Sequence, residues 1–413
     1  MFRKIALENF KSFRRMEFNL TEGNVGKANN LALIYGTNGS GKSSLIDAIV
    51  FLKLSVDTLG RTGYESDLCE MASSVRTIGS EGDMKLCFMF TNKSEDGEYL
   101  MEFDEDGTLV REKLDYTINK NAGNIFDLSY DGNGDIADSY SRQLFKTSAS
   151  KDIIENEVRK HWGRHTFLSI IKSEMTESED GYLDEILGTG IKDVVDYIDS
   201  IIVSRPGYEN MGPTSVDMFP EGGIMDAAEE EALGSFEKAA GGFVKSAFDG
   251  IAGLRYDTEA DGDEVAYWLN VEKADGTILP IDDECQGVRE MVRILPALLT
   301  GSAGGVAFMD NMEFGMHEVL LDSVFNSCLS KAKGQIVATT HDTILLENAN
   351  PHSIFMAKEG KIIPITEIER TQRNHNNRNR YFKGVFGAIP DPKPADLVEL
   401  AADSGYMDSK NII

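Results

Sequence analysis

The sequence is poor in cysteine, in long apolar runs and in positive relative to negative charge. Its 413 residues include four cysteines, without a C-x-x-C pair or histidines at metal-ligand spacing: Cys69, Cys87, Cys285 and Cys328. This usage is typical of reduced intracellular thiols. No stretch approaches 18 apolar residues, and the opening MFRKIALENF lacks the apolar segment of a signal peptide. We therefore expect a cytoplasmic protein without a membrane span.

The charge balance is strongly acidic. Aspartate and glutamate total 69 against 41 lysines and arginines, which gives a formal net charge of -28 at pH 7. Because such a surface repels phosphate, the molecule as a whole does not wrap nucleic acid, and any such contact must be local or belong to a partner. A hydrophobic content of 41% is ordinary for a globular protein, and the length suffices for two or three structural units.

A phosphate-binding motif lies near the start of the chain. Leu31 to Tyr35 is an apolar run that predicts a buried strand, and Ser44 to Phe51 shows helical apolar spacing. The residues between them fit G-x-x-x-x-G-K-[ST], the Walker A pattern, in which glycines turn main-chain N–H groups towards phosphate oxygens. The lysine would contact the β and γ phosphates of ATP, and the following serine hydroxyl can bind Mg²⁺. We predict that ATP is bound by Gly36, Asn38, Gly39, Ser40, Gly41, Lys42, Ser43 and Ser44.

Apolar patterns divide the remaining chain into strand-rich and helix-rich parts. Period-2 alternation predicts two strands before residue 21 and an antiparallel meander over Met84–Phe90, Glu98–Phe103 and Leu109–Lys113. Helical spacing appears over Asp152–Trp162, Leu183–Val203 and Met225–Phe248. We predict four units: an N-terminal ATPase lobe over residues 1–150, a helical insertion over 151–250, a C-terminal ATPase lobe over 251–369, and a basic then acidic tail over 370–413.

Two apolar strands in the second half end in residues that could serve a nucleotide. The strand before Asp310 has a Walker B pattern, and Asp310 could hold Mg²⁺ opposite Ser43. The strand predicted over residues 335–341 ends in His341. Upstream, Cys285, Gln286 and Gly287 precede a helical pattern whose N-terminus could face an anion. Each signal is weak alone, because strands often end at a surface aspartate or a packed histidine.

The order of these motifs resembles that of ABC-type ATPases, with 23 residues from Gly287 to Asp310 and 31 from Asp310 to His341. The opening phrase IALENFKSFRRMEF resembles the first strands of SMC, RecF and OLD-family ATPases. The resemblance covers about residues 1–55 and 280–390. It implies an α/β P-loop NTPase fold of ABC/SMC-like type, with an added antiparallel β subdomain and a helical insertion. It also implies a homo-oligomer in which Cys285, Gln286 and Gly287 of one copy complete the ATP site of another.

A narrower resemblance rests on the phrases DNMEFGMHEVLL, ATTHDTILLEN and RNRYFKGVFGAIP. These are similar to RloA- and AbiL-type ATPases of bacterial abortive-infection and anti-phage loci. The resemblance implies a sensor or regulatory ATPase with a Toprim-type nuclease partner and a phage-derived trigger. A RecF-like DNA-binding repair ATPase is the alternative, which the net charge of -28 argues against. The missing LSGGQ-like signature argues against a transporter subunit, and a phosphotransferase would not need the strand that ends in His341.

Three departures from the ABC-type pattern bear on catalysis. Asn311 stands where relatives place the glutamate that polarises the attacking water. Because an amide cannot accept a proton, general-base catalysis by this residue, worth about 10²–10⁴-fold in rate, is absent. Glu313 could replace it if the chain is extended there, and His341 could orient water, so the predicted catalytic residues are Asp310, His341 and Glu313. No glutamine follows the Walker A helix closely enough to serve as the usual Mg²⁺-contacting residue, and Cys285 replaces the usual signature serine. We therefore expect slow hydrolysis.

The basic residues near the C-terminus stand out in so acidic a chain. They include Arg370, Arg373, Arg378, Arg380 and Lys383. Docking on a partner nuclease, contact with nucleic-acid phosphates and a solvated helix face all fit this pattern.

Overall fold

The structure, a computed structural model, describes residues 1–22, 26–59, 68–118, 121–131, 133–142, 144–177, 187–206, 221–371, 375–389 and 395–404. Its strands are β1 (Phe2–Phe10), β2 (Phe13–Asn19), β3 (Thr21–Glu22), β4 (Lys27–Ala28), β5 (Leu31–Gly36), β6 (Met84–Asn92), β7 (Glu95–Phe103), β8 (Leu109–Ile118), β9 (Asn121–Tyr130), β10 (Ile136–Tyr140), β11 (Ile202–Ser204), β12 (Gly222–Asp226), β13 (Ile251–Asp261), β14 (Glu264–Lys273), β15 (Ile278–Pro280), β16 (Val306–Met309), β17 (Gln335–Thr339), β18 (Ile354–Lys358) and β19 (Lys361–Pro364).

The helices within these ranges are α1 (Lys42–Ser55), α2 (Leu68–Val75), α3 (Ser148–His161), α4 (Phe167–Glu177), α5 (Thr189–Asp199), α6 (Glu231–Ala247), α7 (Gln286–Ala303), α8 (Glu318–Ser327), α9 (Ile344–Asn348), α10 (Ile365–Ile368), α11 (Asn377–Phe382) and α12 (Leu397–Asp403). Short 3₁₀ turns lie at Ala227–Glu229, Ile281–Asp283, Leu329–Lys331 and Pro351–Ser353. None of the helices in the described ranges combines the length and apolarity needed to cross a bilayer.

A six-stranded sheet forms the centre of the fold, in the order β11-β16-β17-β5-β18-β19. All neighbouring pairs are parallel except β18 with β19, which are antiparallel. The described residues form two large hydrophobic cores, and β5 contributes to both. Every residue of β5 is buried: Ala32 and Ile34 belong to the first core, and Leu31 and Leu33 belong to the second. A sheet covered on both faces explains the uninterrupted apolar run before the phosphate loop.

A seven-stranded antiparallel sheet covers one side of the first core, in the order β10-β9-β8-β7-β6-β1-β2. The three predicted meander strands are confirmed, and they continue the sheet begun by β1 and β2. Strands β9 and β10 were not predicted, because the asparagine and glycine residues of β9 weaken its alternating pattern. A smaller sheet of β12, β14, β13 and β15 faces the second core, where helix α6 packs against it.

The predicted helix over Leu183–Val203 is wrong at its end. Helix α5 stops at Asp199, and Ile202–Ser204 pairs in parallel with β16 at the edge of the central sheet. The run Ile201-Ile202-Val203 favours this strand because β-branched side chains pack well in a sheet buried on both faces. Residues 183–186 of that prediction lie outside the described residues, as do residues 207–220 of the proline- and glycine-rich loop.

The predicted helix over Met225–Phe248 is also wrong at its start. Its first residues belong to β12, and the helix begins at Glu231. Helices α3, α4 and α5 contribute to the first core together with α1, whereas α6 contributes to the second. Residues 151–250 are thus shared between the two cores, and the division into four units stays a prediction.

Candidate nucleotide site

The carboxyl ends of four parallel strands meet at one edge of the central sheet. Gly36 ends β5, Asp310 follows β16, His341 lies two residues after β17, and Arg205 follows β11. Because parallel strands share a direction, residues far apart in the sequence come together at this edge. Such an edge is where ligands bind in open α/β sheets.

The Walker A residues form a turn between β5 and α1. Gly39 and Gly41 have φ values of 79° and 98°, in the left-handed region that glycine adopts without strain. Lys42 begins α1 and is 6% exposed, and its Nζ donates to the main-chain oxygens of Gly36, at 2.8 Å, and Thr37, at 3.1 Å. The ammonium group is therefore held over the loop, where a phosphate would meet it.

The opening N-F-K-S-F phrase forms the β1–β2 turn that packs against this loop. The Ser12 hydroxyl donates to the Ser44 hydroxyl at 2.9 Å, and Lys11 pairs with Asp47 of α1 at 2.6 Å. The Phe13 ring lies 2.5 Å from the position that a Cβ on Gly41 would occupy. Sequence reasoning recognised the phrase as a family signature but did not place it in the site. The β1–β2 turn comes next to the Walker A loop only when β1 and β2 fold over α1.

Asp310 lies where the Walker B prediction requires it, at the end of β16. It is 5% exposed, and its Oδ1 accepts a hydrogen bond from the Thr339 hydroxyl at 2.6 Å. The same threonine oxygen accepts the main-chain N–H of Asn311 at 2.8 Å. Thr339 is therefore a positioning residue that sequence reasoning missed, although its place at the end of the strand beside β16 could have indicated it.

The proposed role of Glu313 required an extended chain after Asp310, but the chain is not extended there. Asn311 has a φ of 47°, a left-handed conformation that asparagine tolerates, and the chain turns there. The turn nevertheless brings Glu313 to the site: its Oε1 accepts the main-chain N–H of His341 at 2.6 Å. Its other oxygen is buried without a hydrogen-bond partner in the described part of the chain.

Burial lowers two pKa values around the loop. Burial lowers the pKa of Lys42, and the nearby carboxylates of Asp310 and Glu313 oppose that shift. Partial burial lowers the pKa of His341, and the positive charge of Lys42 adds to this effect, against Glu313 and Asp310. The shift favours the neutral imidazole of His341, which can accept or donate a hydrogen bond.

A cavity of about 230 Å³ joins the loop to the strand ends. It is lined by Ser12, Asn38, Gly39, Gly41, Lys42, Ser43, Ser44, Asn311 and His341. Six of the eight predicted ATP-binding residues line this cavity together with His341. The predicted site residues that do not line it are Gly36, Ser40, Asp310, Glu313, Cys285, Gln286 and Gly287. Gly287 lies beside the Gly315 carbonyl oxygen, and the Cys285 N-cap makes no side-chain hydrogen bond.

The residues present fit a nucleoside triphosphate with Mg²⁺. The buried Lys42 ammonium group and the Ser40 hydroxyl, which is buried without a partner among the described residues, offer donors to phosphate oxygens. The exposed Ser43 hydroxyl and the Asp310 carboxylate are oxygen ligands of the kind that Mg²⁺ prefers. The described residues hold no cluster of three histidine, cysteine, aspartate or glutamate side chains suited to a metal, so a cation here would depend on phosphate ligands.

The edge strand β11 brings two further residues to the site. Arg205 pairs with Asp47 of α1 at 2.7 Å, and the Ser204 hydroxyl accepts from Arg293 of α7 at 2.7 Å. This dipeptide therefore links the Walker A helix to the helix that begins at Gln286. Sequence reasoning missed it because the strand before it was assigned to a helix.

Two of the tail arginines are engaged within the molecule, whereas Arg370 is exposed. Arg378 pairs with Glu318 at 2.8 Å, and Arg380 donates to Thr371 at 3.0 Å and lies over the Phe386 ring. Reversing both charges would therefore disturb the molecule itself, so that change cannot test partner docking alone. Arg373 lies outside the described residues.

Comparisons with known proteins find partial matches. Residues 4–195 match the AAA domain family. Over 113 residues, 27% of this chain, the sequence is 34% identical to the chromosome partition protein Smc of Methanocaldococcus jannaschii. The matched part is 8% of that protein's length.

Two solved structures match most of the chain's length, both at TM-scores below 0.5. The SmcHead bound to the C-winged helix domain of ScpA matches with a TM-score of 0.46 and 15% identity, over 88% of this chain and 96% of that one. The SMC head domain from Thermotoga maritima matches with a TM-score of 0.36 and 12% identity, over 88% and 98%. The loop between β5 and α1, the parallel sheet and the added antiparallel sheet make this an α/β P-loop NTPase fold, as predicted.

Proposed function

We propose that this chain binds ATP with Mg²⁺ and hydrolyses it slowly. The observation that carries the proposal is the cavity in which the buried Lys42, the Ser43 hydroxyl and His341 converge next to Asp310. Phosphate oxygens would accept from Lys42 and from main-chain N–H groups at the start of α1, where the helix dipole favours an anion. Bound Mg²⁺ would neutralise phosphate charge, with Ser43 and Asp310 as its protein ligands.

Slow turnover of ATP follows from the groups around the position of the attacking water. Asn311 lines the cavity but cannot accept a proton, and Glu313 is engaged by the His341 main chain. The imidazole of His341 would orient water or contact the γ-phosphate. Binding of ATP would then act as the switch, and hydrolysis as its timer.

We also propose that two copies close around ATP. Cys285, Gln286 and Gly287 lie outside the cavity of their own chain, yet they begin α7, an 18-residue helix whose N-cap provides no side-chain acceptor. The free main-chain N–H groups of such a helix start could contact a phosphate bound by another copy. The thiol of Cys285 is a weak donor, so this contact would rest on the main chain.

The broader role that we propose is a sensor or regulatory ATPase of a bacterial anti-phage system with a Toprim-type nuclease partner and a phage-derived trigger. Its support is the resemblance of three phrases to RloA- and AbiL-type ATPases. A RecF-like repair ATPase would need a basic DNA-facing surface, whereas Arg378 and Arg380 are engaged within the molecule.

Steady-state hydrolysis tests the catalytic proposal. We expect wild-type turnover below about 1 s⁻¹, the low end of typical enzymes, and a rise of about tenfold or more in Asn311→Glu. Asn311→Asp is the matched control, because aspartate tolerates the left-handed backbone but reaches less far. Wild-type turnover well above 1 s⁻¹, or no gain in Asn311→Glu at unchanged ATP affinity, would contradict the proposal.

Copurification with the product of an adjacent reading frame tests the nuclease partner.

A further inference from the structure

The phrase RNRYFKGVFGAIP has no part in the proposed ATP chemistry, yet the structure places it against the residues that adjoin His341. Residues 375–389, here called the tail segment, contain α11 and the turn after it. Tyr381, Phe386 and Asn377 of this segment are buried, with Phe386 and Asn377 at 2% exposure. The tail segment is therefore an integral part of the second core.

Tyr381 connects the tail segment to the Walker A strand. Its ring centroid lies 6.1 Å from that of Tyr35, which is fully buried in β5. The Tyr35 hydroxyl in turn donates to the main-chain oxygen of Asp342 at 2.9 Å. The residue that follows His341 is thus held by a tyrosine that packs on the tail segment.

Arg378 makes a second connection to the same loop. Its Nε donates to the Thr343 hydroxyl at 2.9 Å, one Nη pairs with Glu318 at 2.8 Å, and the other lies 3.7 Å from Glu347. Thr343 is the N-cap residue of α9, two residues beyond His341. The planar guanidinium group suits three acceptors in fixed directions, which a lysine cannot match.

His341 is thereby held from two sides. Glu313 accepts its main-chain N–H, and the tail segment holds the next two residues through Tyr35 and Arg378. We infer that the tail segment fixes His341 in the nucleotide cavity, with Arg378 as the positioning residue. The inference rests on the proposed function of that cavity. It assigns to the tail a control over ATP turnover that involves no contact with the nucleotide.

Two variants and a matched control test this positioning. Arg378→Ala removes the guanidinium group, and Tyr35→Phe removes only the hydroxyl that reaches Asp342. Lys383→Ala removes an exposed charge from the same segment. Each is compared with wild type in ATP affinity, in turnover and in the ¹H–¹³C ring signal of His341, assigned through its loss in His341→Gln.

We expect Arg378→Ala to lower turnover about 10- to 100-fold and Tyr35→Phe to lower it in the same direction, both with ATP affinity unchanged within about threefold. The His341 signal should shift in both variants without nucleotide and stay in place in Lys383→Ala. An unshifted signal in Arg378→Ala and Tyr35→Phe would overturn the inference, whatever the turnover. A wild-type protein that binds no ATP would instead overturn the proposed function and leave the signal shift as a separate result.

Discussion

Two glycines of the phosphate loop share a left-handed backbone but differ in the space around them. A Cβ on Gly39 would meet no atom within 4 Å, whereas one on Gly41 would lie 2.5 Å from the Phe13 ring and 3.0 Å from the Ser12 hydroxyl. Backbone strain alone therefore acts at Gly39, and strain plus a steric clash acts at Gly41.

This difference predicts unequal effects of alanine at the two positions. Gly39→Ala should lower the free energy of unfolding by about 1–2 kcal/mol. Gly41→Ala should cost about 1–3 kcal/mol more, because Phe13 and Ser12 must move. Denaturant unfolding without nucleotide measures both, and equal losses would show that the β1–β2 turn does not pack on the loop.

The predicted site residues that the structure brings to one edge of the sheet belong to contiguous patterns. The Walker A residues lie within eight positions, and Asp310 and His341 each follow an apolar strand, so strand direction alone brings them to one edge. Ser12, Thr339 and Arg205 were missed because their roles depend on which strands are neighbours. Strand order is a property of the folded sheet, and one sequence carries no direct signal for it.

Among the elements, β8 is joined to the helices beside it by a buried carboxyl group. Glu112 accepts hydrogen bonds from the Tyr99 hydroxyl at 2.8 Å and the Trp162 indole at 2.9 Å. It also accepts the main-chain N–H groups of Phe167, at 2.6 Å, and Leu168, at 3.4 Å, at the start of α4. Burial raises the pKa of Glu112 to about 7 despite these four donors.

The raised pKa predicts how stability changes with pH. Since the folded protein holds this proton more tightly than the unfolded chain, the contribution of Glu112 is full below about pH 4.5 and is lost as pH rises to about 7. The free energy of unfolding of wild type relative to Glu112→Gln should fall by about 3 kcal/mol over that range. Trp162 fluorescence in a Trp268→Phe background reports the unfolding, and a difference that is constant or rises with pH would contradict the prediction.

Elements with strict periodicity were predicted well, and those where the pattern was ambiguous were not. Strands β6 and β7 alternate buried and less buried residues, and each was predicted in its place. The run that ends in β11 is apolar at successive positions, which fits a helix as well as a buried strand. Only its pairing with β16 decides between the two.

At the scale of the whole molecule, charge works against assembly. Each copy carries a net charge of -28, so two copies repel each other, and any ATP-closed dimer must overcome that repulsion through local contacts. Salt screens such repulsion, so the dimer should tighten as ionic strength rises within the physiological range.

Gly287→Arg tests the composite site at this scale. A Cβ there would lie 3.4 Å from the Gly315 carbonyl oxygen, an ordinary contact, with no other atom of the described residues within 4 Å, so the variant should fold and bind ATP as wild type does. The arginine would block approach of a second copy, and light scattering should show a monomer with ATP where wild type dimerises. Gly242→Arg, which enters open space on α6, is the matched control. A Gly287→Arg protein that still dimerises would refute this arrangement.

The measurement that tests the central claim most directly is the affinity for ATP by calorimetry, in wild type, Lys42→Ala and Lys42→Gln. Because Lys42 is the buried cation held over the loop, both substitutions should weaken binding about 30-fold or more. Lys42→Gln keeps a donor for the Gly36 carbonyl oxygen, so it separates lost charge from a collapsed loop. ATP affinity equal to that of wild type in both variants would contradict the assignment of this loop as the nucleotide site.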